Sequence, residues 1–413
     1  MKSITTETNG DIKLNTSVKI AIVTETYPPE VNGVASTVAR FINGLVGLGN
    51  NITLIRPRQG ISDKPKSESH FREILTMGMP IPGYSSLRMG LPQKNMLLKQ
   101  WASDRPSLVH IVTEGPLGWS ALEAAKKLNI PICSDFRTNF DAYSTHYGMS
   151  FLKNPIQSYL RYFHNNCNLT MVPTQELKNQ LLSNGFERLK VLARGVDTEL
   201  FNPSKRCQNL RNHWGIKDHE KVVLCVGRLA SEKNLQVTIE AYKAMSQVNP
   251  NLKMVWVGDG PEKGSLKLSC PNSIFTGVQR GEVLATHYAS GDIFLFSSLS
   301  ETFGNVTIEA MASGLAVLAY DYAAARQFID HGVNGFLASL SEANSFIAAG
   351  LELIKNDVKL ENLRAQARQT TLEISWDQVT KKLESNYHDL MLNTFSKDKL
   401  GSSPLLREIF IKQ

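Results

Sequence analysis

The chain has 413 residues, of which 42% are hydrophobic and 20% are charged, with a formal net charge of +7. This composition is typical of globular proteins, and the length predicts two or three domains. Domains of that size form stable hydrophobic cores without disulfide bonds. No apolar run approaches the roughly 18 residues of a membrane span, and the five scattered cysteines show no metal-ligand spacing, which fits a reducing cytoplasm.

The first half of the chain alternates short aliphatic runs with amphipathic stretches. Residues 1–17 are polar, so we expect a disordered lead-in and no export signal. The runs that follow are apolar on both faces, as buried parallel strands are, with helical patterns such as 117–129 between them. They cover residues 18–25, 52–57, 108–114, 130–135 and 169–174. This pattern predicts a doubly wound α/β domain over 18–197.

The stretch 65–95 breaks that rhythm, because it is rich in Gly, Pro, Met and basic residues. We expect an irregular loop here. An acceptor-side or membrane-facing segment and a merely mobile connection are both compatible with this composition.

A polar pause at 193–205 separates the first alternation from a second. The second set of aliphatic runs covers residues 222–228, 253–260, 273–277, 292–298, 315–320 and 335–338. We therefore predict a second doubly wound domain over 198–375, a hinge near 195–203, a helix over 376–395 and an unassigned tail over 396–413. Ligands of such sheets bind beyond the carboxyl ends of the strands, so the cleft between two facing sheets is the expected active site.

Two carboxylates, Glu301 and Glu309, flank the predicted start of a helix in the second domain. Gly304, Asn305 and Val306 would offer free backbone N–H groups there, and a helix amino end attracts phosphate. Carboxylates accept hydrogen bonds from sugar and ribose hydroxyls. The arrangement suits a nucleotide sugar, although a capping Glu301 and a solvated Glu309 would give the same spacing.

Two cations, Arg228 and Lys233, follow the first predicted strand of the second domain. Cations in such a turn can hold a diphosphate and stabilise the charge on a leaving nucleotide, or they can be ordinary solvated charges. Gly33 follows the chain's first strand and permits close approach of a ligand, or serves the turn geometry alone.

Together these elements resemble the retaining glycosyltransferases of family 4, which have the GT-B fold. The most specific element is the E-x7-E pattern of Glu301 and Glu309 in ETFGNVTIEAMASG; Arg228, Lys233 and Asn234 match a second element. VGDGPE (257–262) and RGVDTELFNP (194–203) are also similar to that family. ETYPPEVNGVAST and IPGYSSLRMGLP resemble more narrowly the members that use GDP-mannose, or UDP-sugars for glycolipids. The resemblance runs from about residue 18 to about residue 392.

The resemblance implies a role for each matched residue. Arg228 and Lys233 would bind the donor diphosphate, which Gly33 would approach from the other domain. Glu301 would hold the hydroxyls of the donor sugar, and Glu309 the ribose. The segment that would run beside the sugar and phosphates consists of Phe303, Gly304, Asn305 and Val306. The last helix would cross back to the first domain.

One position departs from the family pattern, within residues 134–148. Where the family usually carries a histidine near the transferred sugar, this chain has Arg137. Arginine cannot act as a base at neutral pH, but it can donate to a sugar oxygen or a phosphate. His146 lies nearby in the sequence as a weaker candidate.

The function implied by the resemblance is transfer of a hexose, with mannose favoured, from a nucleotide diphosphate sugar to a hydroxyl of a lipid or glycan. The reaction would retain the anomeric configuration and use no metal or other cofactor. Alternatives are a UDP-sugar-dependent glycolipid glucosyltransferase, an epimerase or phosphorylase of the same fold, and a non-catalytic relative that binds sugar nucleotide. A NAD-dependent oxidoreductase is disfavoured because neither first βα turn contains G-x-G-x-x-G.

The net charge of the chain, and the motifs that its sequence does not contain, suggest the partners and the location of the protein. The net charge and the 65–95 segment suggest a cytoplasmic protein in peripheral contact with the anionic inner face of a membrane. Nucleic acid is disfavoured, because zinc-finger and RRM motifs are missing from the sequence. The oligomeric state stays open.

Overall fold

The structure is a computed structural model that describes residues 17–400 except 31–32, 61, 82–83, 138–152, 218 and 302. The predicted lead-in therefore lies almost wholly outside the described residues, as do residues 401–413 of the predicted tail and His146.

The first half of the chain forms an eight-stranded sheet and a separate two-stranded hairpin. The strands are β1 (Lys19–Val23), β2 (Asn51–Pro57), β3 (Ser67–Glu68), β4 (Phe71–Thr76), β5 (Gly78–Ile81), β6 (Tyr84–Gly90), β7 (Leu108–Ile111), β8 (Ile132–Asp135), β9 (Leu169–Val172) and β10 (Leu189–Val191). The sheet order is β10-β9-β8-β7-β1-β2-β4-β3, and β5 pairs with β6. Every pair in the large sheet is parallel except β3–β4.

Helices cover both faces of this sheet, as the alternating pattern predicts. They are α1 (Gly33–Gly47), α2 (Lys94–Ser103), α3 (Pro116–Lys127), α4 (Lys153–Asn165) and α5 (Gln175–Ser183). The start and end of α3 follow from its sequence: Pro116 stands at its first turn, where no N–H is needed, and Lys126 and Lys127 lie in the last turn beside the negative end of the helix dipole.

The stretch 65–95 is not an irregular loop, so that prediction is wrong. It contains β4, which pairs in parallel with β2, and the antiparallel β5–β6 hairpin. The sequence pattern failed because β4 carries a charged residue, Glu73, at a buried position. Glu73 is tolerated there because Arg56 of β2 lies 3.2 Å from its carboxylate.

The second half forms a six-stranded sheet that is parallel throughout its described pairings. Its strands are β11 (Lys221–Val226), β12 (Leu252–Val257), β13 (Ile274–Gly277), β14 (Ile293–Phe296), β15 (Ala316–Tyr320) and β16 (Phe336–Ala338). Its helices are α6 (Gln208–His213), α7 (Leu235–Val248), α8 (Lys263–Ser269), α9 (Gly281–Ala289), α10 (Asn305–Ala312), α11 (Ala323–Phe328), α12 (Ala343–Leu353) and α13 (Asp357–Leu372). The strand order is β13-β12-β11-β14-β15-β16.

Each sheet reverses its winding direction once, next to its first strand. In the first sheet the chain moves outward from β1 to β2 and β4, then returns to place β7 on the other side of β1. In the second sheet β11 is flanked by β12 and by β14 in the same manner. Such reversal points leave a crevice at the carboxyl ends of the strands, where ligands bind.

The chain crosses between the two halves at two places that lie side by side. Val196 of the first crossing accepts a hydrogen bond from Trp376 N at 3.3 Å and donates one to Ile374 O at 3.1 Å. The last helix, α14 (Trp376–Leu400), then packs on the first sheet, with Leu383 and Tyr387 in the core built on β1. Within the described part of the chain, no helix combines the length and apolar character of a membrane span.

Candidate active site

The second sheet brings Lys233 and Glu301 into direct contact at its reversal point. Lys233 closes a short 3-10 turn after β11, and Glu301 lies in the loop after the neighbouring β14. Lys233 Nζ forms an ion pair with Glu301 Oε1, which also accepts a hydrogen bond from Ser298 Oγ at 2.8 Å. Both charged side chains stay partly exposed, at 21% and 17%, so a ligand can reach the pair.

Arg228 stands beside Lys233 at the end of β11. The two side chains line one small cavity together with Gly227, Phe296 and Ser297. Arg228 donates from Nε to Glu232 Oε1 at 3.0 Å, yet its side chain remains 68% exposed. Because Glu232 orients this guanidinium while most of the side chain stays in solvent, the group is suited to binding an anion.

The amino end of α10 lies in the loop that carries Glu301. Gly304 caps the helix in the left-handed region, at φ 88°, which favours glycine. Asn305 and Val306 open the helix, where first-turn N–H groups have no acceptor within the helix. The ring of Phe303 is buried against Phe328 and does not face solvent.

Glu309 lies one turn farther along α10 and faces the protein. Its carboxylate accepts a hydrogen bond from Tyr288 OH at 3.1 Å. Burial raises the pKa of Glu309 from 4.5 to about 7, although the hydrogen bond from Tyr288 opposes the shift. The structure therefore pairs Lys233 with Glu301, places Arg228 beside Lys233, and sets Glu309 deeper in the domain.

The first domain presents Arg137 and Gly33 from the carboxyl ends of its strands. Arg137 follows β8, and its Nε donates to Asp135 Oδ2 at 2.8 Å. Its guanidinium lies 5.5 Å from the centre of the Phe41 ring, and the side chain is only 6% exposed. Gly33 is the first residue of α1 and is exposed.

Sequence reasoning missed the buried groups that hold Arg137 in place. Asp135 Oδ1 lies 3.2 Å from His110 Nε2, and His110 Nδ1 is hydrogen-bonded to Tyr387 OH at 2.6 Å. Burial alone would raise the pKa of Asp135, but Arg137 and His110 hold it well below its ordinary value. The three groups sit in apolar strands and a distant helix, so their sequence context indicates core positions only.

Two further residues were missed. Arg194 follows β10 and lies over the Phe303 ring, with Cζ 5.8 Å from the ring centre. It falls in the RGVDTELFNP stretch, whose resemblance to the family implies no role for the arginine. Glu25, after β1, accepts a hydrogen bond from Leu117 N at 2.9 Å, and burial raises its pKa to about 7.

No group of three or more His, Cys, Asp or Glu side chains is arranged to hold a metal ion in the portion of the chain that the structure describes.

Comparison with known proteins extends over nearly the whole chain. The family Glycosyltransferase Family 4 matches residues 31–200, and Glycosyl transferases group 1 matches residues 207–370. The chain is 31% identical to a GDP-mannose-dependent alpha-mannosyltransferase of Corynebacterium glutamicum, over 91% of this chain and 89% of that protein. It is 28% identical to an alpha-monoglucosyldiacylglycerol synthase of Acholeplasma laidlawii, over 91% of this chain and 98% of that protein.

Among solved structures, the sucrose-phosphate synthase of Thermosynechococcus elongatus matches with a TM-score of 0.69. The match covers 91% of this chain and 99% of the other, at 17% sequence identity. At that identity the likeness concerns the fold, and it confirms the predicted GT-B architecture of two Rossmann-like sheets.

Proposed function

Because the chain belongs to the glycosyltransferases of family 4, we propose that it transfers a hexose from a nucleotide diphosphate sugar to a hydroxyl of a lipid or glycan acceptor. The observation that carries this proposal is the Lys233–Glu301 ion pair at the reversal point of the second sheet. One partner supplies positive charge for a diphosphate, and the other supplies acceptor oxygens for sugar hydroxyls.

The neighbours of this pair support a division of roles. Arg228 and Lys233 bind the diphosphate, and the amino end of α10 adds backbone N–H groups and the positive end of its dipole. Glu301 orients the sugar, and Glu309 binds the ribose. Arg137 donates to an oxygen of the sugar or phosphate from the first domain.

We propose that transfer proceeds on one face of the sugar, so that the configuration at the anomeric carbon is retained. The bond between that carbon and the phosphate oxygen breaks, and a bond to the acceptor oxygen forms. The acceptor proton passes to the departing phosphate oxygen, so the protein needs no general base. Arg228, Lys233 and the α10 amides neutralise the departing charge, a task that requires no divalent ion when the donors are already oriented. Closure of the two domains excludes water and suppresses hydrolysis of the donor.

Mannose from GDP-mannose is the favoured donor, since the Corynebacterium relative is named for that substrate. A UDP-sugar-dependent glycolipid glucosyltransferase is the second candidate, supported by the Acholeplasma relative, which is a glycolipid synthase by name. Thermal unfolding with GDP- and UDP-sugars separates the two, because a selective ligand raises the unfolding temperature by mass action. The anomeric configuration of the product, determined by NMR, tests retention.

Substitution tests the assigned roles. Lys233→Ala and Glu301→Gln should each reduce kcat/KM for transfer by about 100-fold or more, the effect of removing one oriented hydrogen-bonding group from an active site. Lys221→Ala is the matched control, because Lys221 is also ion-paired, to Asp357 at 2.9 Å, but stands at the opposite end of β11. Near-normal transfer by folded Lys233→Ala and Glu301→Gln would reject the site assignment.

We also propose peripheral contact with an anionic membrane, supported by the net charge of +7. The protein should float with anionic liposomes and stay behind with neutral ones. Equal flotation with both would count against the contact.

A further inference from the structure

A second cluster of positive charge lies in the first domain, opposite the Lys233–Glu301 pair. Arg194 is its centre: the residue is 8% exposed, and its guanidinium packs between Gly33 of the first domain and Phe303 of the second. A Cβ built on Gly33 would lie 3.0 Å from Arg194 Nη1, so a side chain at this position would crowd the guanidinium.

The cluster contains more positive than negative charge. Arg194 Nε and Arg137 Nη1 are both buried and have no hydrogen-bond partner among the described residues. Burial, and then the neighbouring charge of Arg137, lowers the pKa of Arg194 to about 10, against the opposing effects of Asp135 and Glu301. Arg194 is therefore still charged at neutral pH, and Asp135 already pairs with Arg137. Two buried guanidiniums with unused donors are stabilised when an anion binds between them.

The backbone around Arg194 fixes where its side chain can reach. A Cβ on the next residue, Gly195, would come within 2.9 Å of Trp376 Cα, and Val196 is hydrogen-bonded to the strand-like segment before α14. The guanidinium is thereby held at the amino end of α1, a 15-residue helix that begins at Gly33. Helix amino ends attract phosphate, and here the buried, unpartnered donor of Arg194 points to the same position.

We propose that Arg194 is a further phosphate ligand of the donor site, contributed by the first domain beside Arg137 and the amino end of α1, and that it binds the sugar-linked phosphate of the donor. This proposal rests on the proposed function. The Arg194 guanidinium lies over the ring of Phe303, two residues from Glu301, and Glu301 is paired with Lys233. A phosphate between Arg194 and Lys233 is adjacent to the sugar that Glu301 orients. Side chains of both domains then contact the departing phosphate. Arg194 and Lys233 can contact it together only when the two domains face each other.

The test compares nucleoside monophosphates with diphosphates, since a monophosphate lacks the second phosphate. Dissociation constants for GMP, GDP, UMP and UDP are measured by calorimetry for the wild type, Arg194→Gln and Arg194→Lys. In Arg194→Gln, affinity for the preferred diphosphate should fall by about tenfold or more, as expected for loss of a charged hydrogen bond, while monophosphate affinity stays unchanged. Arg194→Lys should be intermediate, because it keeps the charge and loses the planar fork.

Arg161→Gln is the matched control. It removes the same charge from the same domain, but Arg161 is exposed and donates to Asn184 O at 3.2 Å, away from the strand ends. Its nucleotide affinities should equal those of the wild type. Thermal unfolding of each variant establishes that it is folded, and Arg194→Lys serves as the readout if Arg194→Gln does not fold.

An unchanged ratio of diphosphate to monophosphate affinity in the Arg194 variants would overturn the proposal in any of three forms: both affinities as in the wild type, both affinities reduced equally, or both as in the wild type with a raised acceptor KM. The last would assign the anion to the acceptor. Each leaves the proposed function standing. If the folded wild type binds neither GDP nor UDP, the proposed function itself fails, and the phosphate site fails with it.

Discussion

The two halves of the candidate site are built differently. In the second domain, Arg228, Lys233 and Glu301 stand in turns directly after adjacent strands, and their charges are paired with one another or with close neighbours, at least partly in solvent. In the first domain, Arg137 is buried and is held through Asp135 and His110. His110 in turn contacts Tyr387, 277 residues away on α14.

This difference predicts how each half responds to substitution. Partly exposed ion pairs contribute less to stability than fully buried ones, so changes in the second-domain half should alter transfer while leaving the fold intact. A buried charge that loses its partner costs several kcal/mol, so changes in the first-domain half should affect folding as well as transfer. The following predictions test that contrast, from the largest expected effect to the smallest.

Asp135→Ala should lower the free energy of unfolding by about 3–5 kcal/mol, because it leaves the buried Arg137 without its carboxylate. Glu301→Gln should lower it by about 1 kcal/mol at most, because its partner Lys233 is partly exposed. Urea unfolding of the two variants provides the comparison. If both variants have the same stability, the proposed difference between the two halves is wrong.

Each half also contains one half-buried carboxyl whose pKa is raised by its partial burial from 4.5 to about 7: Glu25 in the first domain and Glu309 in the second. Between pH 4.5 and pH 7 the folded protein holds these protons more tightly than the unfolded chain does. Stability from each group is therefore complete below about pH 4.5, is lost as pH rises toward 7, and changes no further above it. Each group accounts for up to about 3 kcal/mol of that loss.

Glu25→Gln and Glu309→Gln should each flatten the pH dependence of the unfolding free energy between pH 4.5 and pH 7. The variants differ in function: Glu309→Gln should also raise the KM for the donor, through the proposed ribose contact, and Glu25→Gln should not. A wild-type slope retained in both variants would show that these carboxyls are not the groups that titrate.

The same contrast explains which features the sequence could predict. Lys233 and Glu301 each follow an aliphatic run by a few residues, and parallel strands bring their carboxyl ends together, so their proximity follows from strand order. Glu309, five residues into α10, matched the pattern equally well, but its depth depends on packing against Tyr288.

The first-domain half could not be predicted in this way. His110 and Asp135 occupy apolar strands, and Arg194 lies in a polar stretch that resembles a linker. These residues come close together through contacts between segments that are distant in the sequence, and hydrophobic periodicity does not encode such contacts. The strand β4 was missed for a related reason, because Glu73 is compensated by Arg56 on another strand.

Tyr387→Phe tests whether α14 supports Arg137 from a distance. It removes the 2.6 Å hydrogen bond to His110 and should cost about 1 kcal/mol of stability. Because Arg137 is then less firmly oriented, kcat should fall several-fold and diphosphate affinity should fall slightly, while monophosphate affinity is retained. Tyr242→Phe is the matched control, since Tyr242 OH also donates a hydrogen bond, to Leu252 O at 3.2 Å in the second domain. Equal kcat in the two variants would show that Tyr387 is a packing residue only.

The smallest expected effect concerns an exposed ion pair between the two domains, which joins Arg326 Nη1 to Glu176 Oε1 at 3.0 Å. Arg326 also pairs with Asp321 of its own domain, so Glu176→Gln removes the interdomain contact alone. It should change the unfolding free energy by less than about 1 kcal/mol, and the change should vanish near 1 M salt, where screening acts within about 3 Å. A larger loss that also vanishes near 1 M salt would mean that surface charge holds the two domains together. A small, salt-sensitive loss would leave the paired crossings at Val196 and Trp376 as the main connection, about which the domains can close.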